Sequence, residues 1–258
     1  MNILLFTDLE GVTNLNEFDA IKDNRGDGYL KACHELMYDI NAAVEGFFQG
    51  GADKIYVCDG HYNGRNFIKE LLDPRVIQIY GFEWEELVKK GEIDAFAEVG
   101  LHAMVGTQDA FDDHTQVFSW FDYKINGVSV GELIQGAGFV GQYGIPMIFV
   151  SGDKALAEEA ERFIPGIATA VVKYAKGRNF AESLPSEEAR EIIRTKAKDS
   201  IKLVDKIKPY KIELPATIEL TVTRTDIADF CAKYYERIGP RTVRKVIDKL
   251  EHYMDLII

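Results

Sequence analysis

Strand-length apolar runs and segments of helical apolar spacing alternate along the first two-thirds of this 258-residue chain, and that alternation restricts its fold more than any other feature. Asn2–Thr7 reads as a strand. From about Gly28 to Gln49, Cys33, Leu36, Met37, Ile40, Ala43, Val44 and Phe47 recur at helical spacing, and Gly50-Gly51 makes a stop. Lys54–Cys58, Val76–Tyr80 and a run over Ala95–Met104, broken by Gly100, read as further strands. Phe118, Trp120, Tyr123 and Ile125 lead into Asn126-Gly127, a hairpin-turn signal, with Val128 and Val130 beyond it. Helix over Glu132–Tyr143, strand over Ile145–Val150, helix over Asp153–Phe163 and strand over Ile167–Val172 complete the alternation. The pattern predicts an α/β fold: a mostly parallel sheet with helices on both faces and a β-hairpin insertion.

Beyond Pro185 the character changes. Residues 186–207 form one amphipathic helical pattern, Thr217–Thr223 a strand, and Pro240–Ile258 a helical pattern at Val243, Val246, Ile247, Leu250 and Met254. Pro209 and Pro215 mark a linker, so the expected division is a catalytic α/β domain over 1–205 and a smaller α+β lobe over 206–258 packed on it.

The chemistry collects where the strands end. Side chains two apart on a strand share a face, so Asp8 and Glu10 stand together after the first strand, and two such charges repel unless a cation lies between them. Asp59 and His61 repeat the arrangement after the second strand, His102 closes a later one, and Glu132 opens a helix whose amino terminus faces the same rim. In open α/β sheets that rim, at the carboxyl ends of the strands, is where ligands bind. Of the five histidines, His61, His102 and His114 fall at loops or strand ends; His34 and His252 fall inside helical patterns and read as packing or surface residues. Mixed Asp, Glu and His donors suit zinc or manganese, and enough are present for two ions sharing a carboxylate.

Charge narrows the partners. A net charge of −12 argues against nucleic acid and anionic membranes, and no apolar run has the length of a membrane span. Cys33, Cys58 and Cys231, odd in number and far apart, read as thiols of a reducing cytoplasm. Two motifs mislead. "GAGFVG" (Gly136–Gly141) has the dinucleotide-loop spacing but lies within a helix and precedes its strand, so its glycines are read as helix-packing positions. "LLFTDLEGVT" with "SGDKALAEEA" is similar to aspartyl-phosphate hydrolases, yet Glu10 and Ala157 stand where that superfamily has aspartates. A magnesium-dependent phosphoester hydrolase is the alternative reading, and a non-catalytic metal-binding scaffold a third.

Taken in order, "DLEGVT", "DGHYNGRN", "GLHAMVGT", "NGVSVGELIQGAGFVGQYGIPMIFVSGD" and "AVVKYAKGR" resemble the D-aminopeptidase family of zinc metallopeptidases, from Asp8 to about Pro185. The resemblance implies one zinc held by Asp8, Glu10 and Asp59 and a second held by Asp8, His102 and Glu132, with Asp8 bridging. It implies a catalytic role for His114, matched through its eighteen-residue spacing to Glu132, and a second-shell or substrate contact for His61. Lys173 and Arg178 fall in a matching segment, and Asp112 or Asp113 is a candidate for holding a substrate amino group. The implied activity is hydrolysis of short peptides with a free amino-terminal residue, such as D-alanine, by hydroxide shared between two ions (zinc, with manganese or cobalt as alternatives). The implied assembly is a homo-oligomer, a ring-shaped decamer. The carboxy-terminal "YYERIGPRTVRKV" is bulky and basic and departs from the family pattern.

Overall fold

The computed structural model describes residues 1–258. In chain order its first elements are β1 (Asn2–Thr7), α1 (Asp27–Gly50), β2 (Lys54–Asp59), β3 (Ile77–Ile79), α2 (Glu83–Lys89) and β4 (Ala95–Leu101). A hairpin of β5 (Trp120–Ile125) and β6 (Val128–Ser129) follows, then α3 (Glu132–Gln142), β7 (Met147–Asp153), α4 (Lys154–Phe163), β8 (Ala168–Gly177) and β9 (Phe180–Ser183). The remainder is α5 (Ser186–Ser200), β10 (Ala216–Val222), α6 (Thr225–Cys231), β11 (Glu236–Arg237) and β12 (Thr242–Ile247).

The main sheet runs β3-β2-β1-β4-β7-β8-β9, parallel throughout except for β9 against β8. Its central strands are buried on both faces, which is why β4 and β7 read as continuous apolar runs and not as alternating ones. The chain leaves β1 for β2 on one side and returns to β4 on the other, so the strand order reverses between β1 and β4. That reversal opens a crevice at the carboxyl ends of both strands.

Helices cover both faces. On one, α1 packs against α5, and Phe47 of α1 meets Phe149 of β7 edge-on at 5.6 Å. Gly51 ends α1 in the left-handed conformation (φ 106°), with its amide on the Phe47 and Phe48 carbonyls. On the other face α3 lies over Phe96, and its glycines permit the approach. A Cβ on Gly141 would stand 1.8 Å from the Tyr210 carbonyl oxygen, so "GAGFVG" is a packing surface, as expected.

A second, antiparallel sheet runs β11-β12-β10-β5-β6. Asn126 and Gly127 both have positive φ (51° and 79°), the mirror-image turn that matches strand twist. The hairpin pairs with β10, so this sheet takes strands from both sides of residue 205. The fully buried Tyr123 of β5 donates to the Leu256 carbonyl at 2.5 Å and ties the chain's end to it.

Several local expectations fail for tertiary reasons. Residues 240–258 are not a helix: Thr242–Ile247 is strand β12, because β-branched Thr242, Val243, Val246 and Ile247 pair with β10, and His252 precedes a short 3-10 turn over Tyr253–Leu256. Gly100 does not break β4; it sits in a bulge at φ 79°. The helix from Ser186 ends at Ser200 and tightens into a 3-10 turn. Short α2, β9 and α6 carry too few residues for a periodic signal. No helix is long and apolar enough to cross a membrane.

Candidate metal centre

The crevice between β1 and β4 receives the chain's acidic and imidazole side chains. Immediately after β1 the Asp8 amide donates to Val99 O at 2.9 Å, and the Gly11 amide to Gly100 O at 2.7 Å, so the turn carrying Asp8 and Glu10 lies directly on the bulge of β4. A Cβ on Gly100 would come within 2.2 Å of Asp8 O, and one on Gly11 within 2.1 Å of Leu101 O. From the far side the fully buried Lys173 ammonium donates to the carbonyls of Glu10 (2.8 Å) and Leu15 (2.6 Å). Leu9 points into the core, leaving Asp8 and Glu10 together on the crevice side.

His61 stands between those two carboxylates, its Nδ1 2.9 Å from Asp8 Oδ1 and 3.1 Å from Glu10 Oε2. Asp59, expected in that place, is turned aside: its carboxylate accepts from the Asn66 amide (2.6 Å), Asn66 Nδ2 (3.0 Å) and the His61 amide (3.3 Å). Asp59 therefore shapes the loop that presents His61.

Across the crevice, His102 Nε2 lies 3.4 Å from Asp8 Oδ2 and 3.4 Å from Glu132 Oε1. His102 Nδ1 donates to Ala103 O at 3.0 Å, so Nε2 is the nitrogen that faces the two carboxylates; burial opposes a charge on the ring, yet Glu132 and Asp8 hold its pKa well above the usual imidazole value. Nε2 is buried without a hydrogen-bond partner. A lone pair aimed at two carboxylates is repulsive unless a proton or a cation lies among them. His114 stacks on His102 with ring centres 3.8 Å apart and 12° between planes. Its Nδ1 sits 2.7 Å from Asp112 O, so Nε2 is again the free nitrogen. Glu132, the first residue of α3, is held by the Gln116 amide at 2.6 Å.

Two sets of donor atoms, each within 4.8 Å of one another, result: Asp8, Glu10 and His61, and His102, His114 and Glu132. Asp8 turns one oxygen to each set. Burial, then the charge of Glu10, raises the Asp8 carboxyl to about 7. Glu10 faces the same burial penalty, but His61 outweighs it and holds Glu10 well below the usual range. Burial opposes a charge on His61, yet Glu10 and Asp8 push it up to about 12. Burial and the neighbouring His102 lower His114 to about 4. Protons thus hold together a cluster whose donors, carboxylate and imidazole, are those of a divalent-cation site. The residues fit metal.

Asp112 and Asp113 are engaged elsewhere: Arg178 reaches them at 3.0 and 3.3 Å, and the Gly106 amide donates to Asp113. Asp153, which suggested a phosphohydrolase, caps α4 by accepting from the Leu156 amide and also accepts from the Phe111 amide; its carboxylate is buried.

Two cavities meet at the cluster and share Asp8, Gly60, Tyr62, Gln116 and Glu132. One, of about 560 Å³, reaches back between Phe6, Trp84, Glu98 and Tyr253; the other, of about 840 Å³, opens past His61, His114 and Phe118. Glu98 was not anticipated from sequence, although an acid inside the apolar run "AFAEVGL" was its visible signal.

A family model described as D-aminopeptidase matches residues 1–258. A D-aminopeptidase of Bacillus subtilis (strain 168) is 28% identical over 212 residues, covering 81% of this chain and 77% of that protein. Among solved structures, the Zn-dependent D-aminopeptidase DppA from Bacillus subtilis, described as a self-compartmentalizing protease, superposes with a TM-score of 0.92 at 24% identity. The match covers 100% of this chain and 95% of that one and shows a common fold.

Proposed function

Because the chain belongs to the D-aminopeptidase family, we propose that it is a metal-dependent aminopeptidase that hydrolyses short peptides with a free amino-terminal residue, D-alanine among them. The observation that carries this reading is Asp8, with Oδ1 toward His61 and Oδ2 toward the unpartnered Nε2 of His102. Asp8, Glu10 and His61 would hold one ion, and Asp8, His102 and Glu132 the other, with Asp59 orienting His61. Zinc is favoured by the donor set and by the description of the structural neighbour. Bound there, it supplies Lewis acidity and lowers the pKa of water toward neutrality.

The chain's own groups supply the rest. His114, its Nδ1 proton fixed on Asp112 O, offers Nε2 as the base that takes the proton of attacking water and returns it to the leaving amine. Burial keeps that imidazole neutral and able to accept. The larger cavity, past Phe118, accommodates the leaving portion of the peptide, and the smaller one the first residue. A homo-oligomer belongs to the same reading and is supported by the neighbour's description as self-compartmentalizing; a ring-shaped decamer is the assembly proposed.

Elemental analysis beside turnover of D- and L-alanyl peptides tests the proposal. About two zinc ions per chain, lost in Asp8→Ala, with turnover abolished by chelation and restored by zinc, are expected. His114→Ala should retain metal and lose turnover by about 100-fold or more. Magnesium dependence, or metal binding with no peptide cleaved, would overturn the assignment.

A further inference from the structure

Glu98 is the acid that the centre leaves unused. It lies mid-strand in β4, opposite Phe6 of β1 and Val150 of β7, and is only 5% exposed. Its Oε2 is buried with no hydrogen-bond partner, and no Lys, Arg or His forms an ion pair with it. A buried carboxyl without partners is costly, and the sheet at this point offers it nothing. The carboxyl nevertheless lines the smaller cavity, in company with Asp8 and Glu132. Room for it is provided by Gly136 of α3, where a Cβ would stand 3.0 Å from Glu98 Oε1.

The walls around it are aromatic. Phe6 meets Phe96 and Trp84 edge-on at 5.3 and 5.0 Å, and Trp84 meets Tyr253 at 5.6 Å. The one cationic side chain on the cavity, Arg65, is exposed at its rim. Aromatic walls around one unpaired buried acid suit a compact ligand carrying one positive charge. Resting on the aminopeptidase reading above, we infer that Glu98 binds the α-ammonium group of the substrate's first residue, whose side chain lies against Phe6 and Trp84.

Position separates this from other cation ligands. The α-nitrogen of a peptide is two bonds from the carbonyl carbon that is attacked, so its binder must share a cavity with the metal residues, as Glu98 shares one with Asp8 and Glu132. Asp112 and Asp113, the acids that sequence offered for this role, line neither cavity, and both face the single guanidinium of Arg178.

The test compares an alanyl peptide with its propionyl analogue, identical but for the amino group, in zinc-loaded wild type, Glu98→Gln and Glu98→Leu. Each variant should lose about 10- to 100-fold in kcat/KM on the alanyl peptide, the span of a lost hydrogen bond between charged groups. The slower propionyl peptide should change by less than about twofold, and zinc content should not change. In parallel, calorimetric titration should show alaninamide binding the wild type and losing affinity in both variants, with propionamide indifferent. Equal losses on both peptides, or none, would overturn the assignment of Glu98 and leave the peptidase reading intact. Should the wild type cleave no alanyl peptide yet bind alaninamide through Glu98, the peptidase reading alone would fall.

Discussion

Replacing Asp8 by asparagine should stabilise the metal-free protein while removing its response to metal. Asp8 carries the cost of a carboxylate held beside Glu10 in a poorly hydrated crevice, first through burial and then through that neighbour's charge. A free aspartate titrates near 3.8 and the folded one at about 7. The sign follows directly. Between those values the folded chain keeps a proton that the unfolded chain releases, so stability is full below 3.8 and is lost as pH rises through about 7. At about 1.4 kcal/mol for each tenfold change in proton affinity, the cost above pH 7 is a little over about 4 kcal/mol, and partial exposure of the side chain reduces this to about 2–4 kcal/mol. Asparagine fills the same space without the charge. In urea unfolding at pH 8 with chelator, Asp8→Asn should therefore exceed wild type by that amount, and the gain should vanish at pH 4. With zinc the order should invert, because wild type gains about 4 kcal/mol at a thousandfold excess over its Kd and the variant does not. A variant less stable than wild type in chelator at pH 8, or one that still responds to zinc like wild type, would refute the account of Asp8 as a strained, shared ligand.

Other consequences are open to equally direct measurement. Burial raises Glu159 to about 7, although the Met104 amide donates to it; chelated wild type should lose stability between pH 4.5 and 7 relative to Glu159→Gln, by about 2–3 kcal/mol, and parallel pH profiles would contradict this. Gly141→Ala drives a methyl into the Tyr210 carbonyl and should cost about 3 kcal/mol or more in thermal unfolding, a near-neutral result refuting the close packing of α3 on that segment. Lys173→Met strips the donors from Glu10 O and Leu15 O, so zinc affinity measured against a chromophoric chelator should fall by about 10-fold or more, and unchanged affinity would show that the Glu10 turn holds without it.

Several members of this side-chain cluster are legible in the sequence, and the others are hidden for physical reasons. Asp8 and Glu10 announced themselves because a strand fixes side chains two apart on one side, and Glu132 because a helix start follows a recognisable turn. The choice between Asp59 and His61 could not be made that way. Both lie at the same strand end, and what sets them apart in the fold is Asn66, whose amide and side chain donate to the Asp59 carboxylate from a loop with no periodic signal. His102 was legible as a strand-end imidazole, but its stacking with His114 arises from a long loop and is a tertiary fact. Over 240–258 the apolar spacing satisfied a helix and the β-branched residues a strand; pairing with β10 settled the matter. The second sheet could not be foreseen because its partners are almost a hundred residues apart, Tyr123 against Leu220.

The contact between the Asp8 turn and the β4 bulge bears on how such a sequence can drift. Neither Gly11 nor Gly100 offers a side chain to the chemistry, yet a single added carbon at either would displace a backbone that carries donors: Asp8 in one case, Leu101 and so its neighbour His102 in the other. Gly100 is doubly restricted, since its positive φ strains any other residue. A saturation library selected for turnover should therefore return glycine at both positions as strictly as it returns the carboxylates. Ranked by tolerance alone, these two chemically silent residues would be indistinguishable from the donors they seat.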